Sequence, residues 1–244
     1  MPIVTIECFI DALPAYPRDA VVVGIDVIRA TTTAITAVAA GRRCHVVPSL
    51  EEAMRLRGLL EDPLLVGELG GNMPYGFDLN NSPSAMAAQP HPERAAILLS
   101  SSGTRLLTLS ASQHVTTGVA CLRNWRAQAD LIAARRAGTV VLVGAGTRGE
   151  FREEDQLCCA WIAARLVGLG YQAAGPTRRI VDQWRDAPVE VIAEGPSARY
   201  LRDSGQLEDL TFILDHVGDL DVAFEVEGTE VIKSTSAGTD DGGD

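Results

Sequence analysis

Three stretches of this chain, residues 21–25, 95–99 and 139–143, are almost continuously apolar. A strand with one face in water alternates apolar and polar side chains. An unbroken apolar run is instead what a strand buried on both faces requires, in a sheet covered by helices. Each run feeds a turn of small or polar residues and then a helical stretch: 31–40, closed by Gly41; a helix from about Thr104; and 153–167. Shorter strands are expected at 44–47, 64–66 and 114–119. A capping box, Ser49-Leu50-Glu51-Glu52, opens a helix running to about Leu60, and another helix covers 124–137. This alternation predicts an α/β fold, a layered α/β/α arrangement with a largely parallel sheet. A hairpin over 225–231 makes the sheet mixed. Two of the three turns contain Gly-Thr-Arg, an internal echo that suggests duplication. The expectation is a single unit over 1–233, built as two intimately packed halves, and a disordered tail over 234–244.

Charge and cysteine usage narrow the function. The chain has 244 residues and a formal net charge of −11, which argues against nucleic acid and against an anionic membrane surface as partners. A small anionic ligand remains open, provided the site gathers its own arginines or a metal. Cys8, Cys44, Cys121, Cys158 and Cys159 form no C-x-x-C pair and are odd in number, which reads as buried thiols in a reducing compartment. The first twelve residues show no basic region followed by an apolar one, and no apolar run reaches the length of a membrane span. A cytoplasmic protein is expected, with a homo-oligomer as the default assembly.

Ligands of open α/β sheets bind beyond the carboxyl ends of the strands, and four polar segments fall at such ends. In the first, Asp26 to Thr33, Asp26 is placed to hold Mg²⁺ and Arg29 to pair with an anion; Thr31 and Thr32 add hydroxyls. The plainer alternative makes Asp26 a turn residue and Thr31 a helix cap. In the second, Gly67 to Pro83, Glu68 and Asp78 add carboxylates, or are solvated acids of a surface loop. The third, Ser100-Ser101-Ser102-Gly103-Thr104-Arg105, is either a nest of amides for an anion or a Ser-rich turn, and it lacks the lysine of a Walker A loop. The fourth, Gly144 to Asp155, contains Arg148, Glu154 and Asp155, whose acids would otherwise serve only the helix dipole. There is no G-x-S-x-G elbow, and His45, His91, His114 and His216 lack metal-ligand spacing.

Taken in order, IDVIRATTT, GELGG, GFDLNNSPS, SSSGTR and GTRGEFREED resemble the motifs of the 2-phosphosulfolactate phosphatase family, across residues 21–232. That resemblance implies Mg²⁺-dependent hydrolysis of a phosphate monoester to 3-sulfolactate and phosphate, as in coenzyme M synthesis, on a fold distinct from the common aspartyl-phosphate phosphatases. It implies Mg²⁺ held among Asp26, Glu68, Asp78 and Asp155. Asp26 and either Glu154 or Asp155 carry the catalysis, with direct water attack and a covalent phosphate on Asp26 both open. Arg29, Arg105 and Arg148 would bind the anionic groups, with Thr31, Thr32, Asn81, Ser82, Ser102, Gly103 and Thr104 completing the substrate site. Ser102 stands where the family carries Asn, and Asn80 where it carries Gly. Both differences bear on which small phosphorylated acid is taken. A non-catalytic binder of phosphorylated metabolites is the rival from another class.

Overall fold

A computed structural model describes residues 1–146 and 150–234. Its strands are β1 (Ile3–Glu7), β2 (Val21–Ile25), β3 (Cys44–Val47), β4 (Leu64–Gly67), β5 (Ala96–Leu99), β6 (Thr116–Ala120), β7 (Thr139–Gly144), β8 (Gln172–Ala173), β9 (Ala223–Glu227) and β10 (Glu230–Ser234). The helices are α1 (Ala30–Ala39), α2 (Leu50–Arg57), α3 (Pro83–Ala87), α4 (Gly103–Gln113), α5 (Trp125–Ala134), α6 (Glu153–Gly168), α7 (Thr177–Trp184), α8 (Pro196–Asp203) and α9 (Leu207–Asp215).

The strands form one ten-stranded sheet in the order β4-β5-β3-β10-β9-β6-β2-β7-β1-β8. It consists of two parallel blocks, β4-β5-β3 and β6-β2-β7-β1-β8. The β9–β10 hairpin joins them through antiparallel pairs with β6 and β3, so the blocks run in opposite directions. The expected α/β sheet and its mixed character are both present. Ser234 closes β10, so the last strand extends one residue into the expected tail, and residues 235–244 lie outside the described residues.

The apolar runs are used on both faces. Val23 and Ile25 of β2, with Val140 and Leu142 of β7, pack under α5 and α6; Val22, Val141 and Val143 pack with Leu106 of α4 on the other side. In β5, Ala96 and Leu98 face α1, whereas Ile97 and Leu99 face Ala53 of α2 and Phe77. Covering both faces with helices removes the need for a polar alternation.

The two helices that begin at the site are exchanged between the blocks. α1 follows β2 but packs on β3, β5 and β10 as well as β6, and every residue from Ala30 to Val38 is buried. α4 follows β5 but packs on β2 and β6 as well as β3. Between them they bring the turn after β2 against the turn after β5. Among the described residues, no helix is long and apolar enough to cross a membrane.

Candidate active site

Asp26 leaves the end of β2 and is 8 % exposed. Its backbone is held by Thr31, whose Oγ1 accepts from Asp26 N at 3.0 Å and donates to Asp26 O at 2.8 Å. Thr32 Oγ1 donates to Val27 O at 2.7 Å, and Thr33 Oγ1 to Arg29 O at 3.1 Å. The Ile28–Arg29 peptide within this turn is cis. The turn after β5 repeats the device: Thr104 Oγ1 accepts from Ser100 N at 2.9 Å and donates to Ser100 O at 3.0 Å. Thr31, Thr32 and Thr104 are therefore buried fasteners of the two turns and are not part of the pocket lining.

The turns meet at Gly103. A β-carbon there would overlap Asp26 Oδ2 and Ala30 Cβ, so only glycine lets α4 start this close to the carboxylate. From the end of β4, Glu68 ties the third loop in: Oε1 accepts from Ser101 N at 2.7 Å, and Oε2 from Gly71 N at 2.7 Å and Ser101 Oγ at 3.1 Å.

These segments and α8 enclose a pocket of about 390 Å³, lined by Asp26, Arg29, Glu68, Asn81, Ser101 and Ser102, and by Arg152, Ser197, Tyr200 and Leu201. Of the residues expected from sequence, it gathers Asp26, Arg29, Glu68, Asn81 and Ser102 around one space, with Gly103 behind Asp26. It does not gather Asp78, whose carboxylate accepts from Leu65 N at 2.8 Å near the start of β4. Ser82 caps α3, accepting from Ala85 N at 3.1 Å, and donates to Asp209 Oδ1 at 2.6 Å. Arg105 is exposed and is not part of the lining. Arg148 lies outside the described residues.

Sequence reasoning missed Arg152 and the whole α8 wall. Arg152 stood inside the GTRGEFREED motif and could have been read from it. Ser197, Tyr200 and Leu201 sit on a two-turn helix with no chemical signature. Tyr200 reaches across the mouth, its hydroxyl donating to Gly71 O at 2.6 Å.

Glu154 and Asp155 begin α6 and lie under the pocket, 1 % and 3 % exposed. Asp155 Oδ1 accepts from Val27 N at 2.8 Å, so it steadies the Asp26 turn from behind. Among the described residues, neither buried oxygen of Glu154 makes a well-formed hydrogen bond, and the Ser197 hydroxyl is near enough to favour the charged form. Burial pushes the Asp26 carboxyl up to about 7; the Ala30 amide and Arg29 oppose the rise, while Glu68 and Glu154 add to it. Asp155 is raised well above its ordinary value, by burial first and then by Asp26 and Glu154. Burial likewise raises Glu154. The site thus concentrates carboxylates that cannot all be ionised together unless a cation compensates them.

Residues 10–227 match the family model of 2-phosphosulpholactate phosphatase. The chain belongs to that family. Similar proteins named probable 2-phosphosulfolactate phosphatase include one from Pseudothermotoga lettingae, 34% identical over 193 residues, covering 79% of this chain and 83% of that one. One from Deinococcus radiodurans is 31% identical over 234 residues, covering 95% and 94%. One from Thermus thermophilus is 31% identical over 211 residues, covering 83% and 87%. The 2-phosphosulpholactate phosphatase match takes in strands of both sheet blocks, though not β1 or β10, with the Asp26 turn, Glu68, the Ser-rich turn and α8, so the pocket lies wholly within it.

Among the described residues, no three His, Cys, Asp or Glu side chains converge as a ready-made metal cluster. Mg²⁺ asks for less, since it commonly takes one or two carboxylates and completes its shell with waters and substrate oxygens. The crowded carboxylates and the unpartnered oxygens of Glu154 fit a hard divalent cation. Asp26 and Glu68 border the pocket and are the residues that would hold it.

Proposed function

We propose that this chain hydrolyses 2-phosphosulfolactate to 3-sulfolactate and phosphate with the help of Mg²⁺. The observation that carries the reading is the pocket itself. A buried Asp26 at a strand end shares it with two guanidiniums and a turn of small residues, above a further pair of buried acids. Phosphoryl transfer needs positioning and charge neutralisation more than covalent chemistry, and these groups supply both. Mg²⁺, when bound, adds positive charge against the phosphoryl oxygens.

The chain's own residues do the rest. Arg29 and Arg152 offer donors to the anionic groups, and Ser101 and Ser102 border the same space. Glu154 is the general base we assign, because it is buried close to Asp26 and next to Ser197, which borders the pocket and is near enough to favour the charged form. The water oxygen bonds to phosphorus, the ester P–O bond breaks, and the proton taken by Glu154 is returned to the leaving alkoxide. The covalent route through Asp26 is separated from this one by trapping with labelled phosphate; label on Asp26 rejects direct water attack. We place the reaction in coenzyme M synthesis and in the cytoplasm, where the unpaired cysteines would stay reduced.

A second reading keeps the chemistry and changes the acid. Ser102, in place of the expected amide side chain, lines the pocket directly. A differently polar substituent would suit it. The test is phosphate release from 2-phosphosulfolactate, phospholactate and phosphoglycolate, with Mg²⁺ and with EDTA. Metal-dependent release that prefers the sulfonate supports the first reading. Release from the other esters alone supports the second. No release by folded protein from any of them rejects both.

A further inference from the structure

Arg29 is 5 % exposed, and a cation so deeply set needs a counter-charge of its own. It finds one at the far end of the sequence. Arg29 Nη1 donates to Asp209 Oδ2 at 2.6 Å and to Gln206 Oε1 at 2.5 Å. Asp209, in the first turn of α9, is 2 % exposed. Its other oxygen accepts from Ser82 Oγ at 2.6 Å, Ser84 Oγ at 2.5 Å and Ser84 N at 3.1 Å. Gln206 Oε1 accepts a second bond from Asn80 Nδ2 at 2.9 Å, and Asn80 Oδ1 accepts from Asn81 N at 2.7 Å. Arg29 and Asn81, both lining the pocket, are thus fixed from one helix end.

Only Nη1 is committed. Among the described residues, Arg29 Nε and Nη2 make no hydrogen bond. A guanidinium binds an oxyanion well only when its planar fork is aimed. A side chain with this many rotatable bonds is aimed by what holds its other edge.

We propose that Asp209 is a positioning residue. With Gln206 it grips one nitrogen of Arg29, turns the free edge of the guanidinium to the pocket, and thereby sets affinity for the phosphate-type oxyanion. The proposal rests on the reading of this pocket as the phosphoester site. It gives the last third of the chain, α8 and α9, a part in substrate binding.

The test is binding of orthophosphate to the Mg²⁺-loaded protein by calorimetry, with a thermal melt of each variant. Asp209→Asn keeps the shape and an acceptor for the serines but removes the charge facing Nη1. Gln206→Ala removes the second acceptor at a half-buried position without stranding a charge, and it serves if Asp209→Asn does not fold. The orthophosphate Kd should rise about tenfold in Asp209→Asn and by a smaller factor in Gln206→Ala. In an Arg29→Gln background, Asp209→Asn should add nothing, because the path to the ligand is already gone. In turnover, KM should rise by a similar factor while kcat changes less. Wild-type affinity in a folded Asp209→Asn protein overturns the proposal, as does an equal loss in the Arg29→Gln background or a wild-type protein that binds no orthophosphate. Orthophosphate bound but no ester hydrolysed would instead reject the phosphatase reading and leave the positioning result standing.

Discussion

Asp26 sits where every constraint of the site meets: a fastened backbone, a glycine pressed against its carboxylate, and acids on several sides. Replacing it with Asn keeps the shape and removes one of the mutually repelling charges. Turnover should fall by more than about a hundredfold, as for loss of a group that stabilises the transition state. The melting temperature should hold or rise. A folded Asp26→Asn protein with near-normal kcat would remove Asp26 from the site. Gly103→Ala tests the same contact from the other side. The added methyl must displace Asp26 or α4, and overpacking of this kind costs about 1–3 kcal/mol. Chemical denaturation gives that cost. Steady-state rates should show kcat falling with it, because the atom nearest the added methyl is an oxygen of that carboxylate.

At the scale of elements, two strand-to-helix turns are fastened alike, by Thr31 on Asp26 and by Thr104 on Ser100. Valine at either place keeps the volume but leaves a buried amide without its hydroxyl acceptor, although Asp26 O keeps the bond from Thr31 N. Each change should cost about 1–3 kcal/mol, measured by urea unfolding, while Thr31→Ser should retain most of the stability. Thr31→Val should also depress kcat more than Thr104→Val, since only Thr31 holds the Asp26 backbone. Equal effects on kcat would mean that the Asp26 turn is fixed by other means. The strands feeding these turns were legible because burial on both faces forces an apolar run, and the Ser49 cap was legible because its chemistry is local. Ser49 Oγ does accept from Glu52 N, at 3.3 Å. β1 escaped notice: it is five residues long, and its partners, Thr139 to Val143 and Gln172–Ala173, are distant in sequence. α7, α8 and α9 were not legible because helices this short take their stability from packing against the rest of the fold. The same limit hid the α8 wall of the pocket. Asp26, Arg29 and Glu68 could be named from strand ends, whereas Tyr200 and Asp209 join them only through the tertiary fold. Thr31, Thr32 and Thr104 mark the converse limit, since a hydroxyl beside such a turn can serve the backbone as readily as a ligand and a sequence does not say which.

For the whole molecule, the buried acids link metal, pH and stability. The folded Asp26 carboxyl titrates at about 7, against about 3.9 for an ordinary Asp in an unfolded chain. Between those values the folded state holds the extra proton. Its contribution is fully present below the unfolded value and is lost as pH rises through the folded one. Glu154 and Asp155 are shifted in the same direction and extend the effect. Glu230 works the other way: its bonds to Arg43 lower its pKa, so its contribution is present above the unfolded value and is lost in acid. That surface pair is partly solvated and small by comparison. In EDTA the protein should therefore lose stability from pH 5 to pH 8, by a few kcal/mol if Asp26 dominates, since each unit of pKa difference is worth about 1.4 kcal/mol. Saturating Mg²⁺ should remove most of that fall, because a cation bound to the folded state takes the place of the protons and stabilises by mass action. Calorimetric titration at pH 6.5 in buffers of different ionisation enthalpy should show protons released as Mg²⁺ binds, and an affinity that weakens as the pH is lowered. Equal melting temperatures with EDTA and with Mg²⁺ across this range would mean that the acids are compensated within the chain, and Mg²⁺ would have no place in the site.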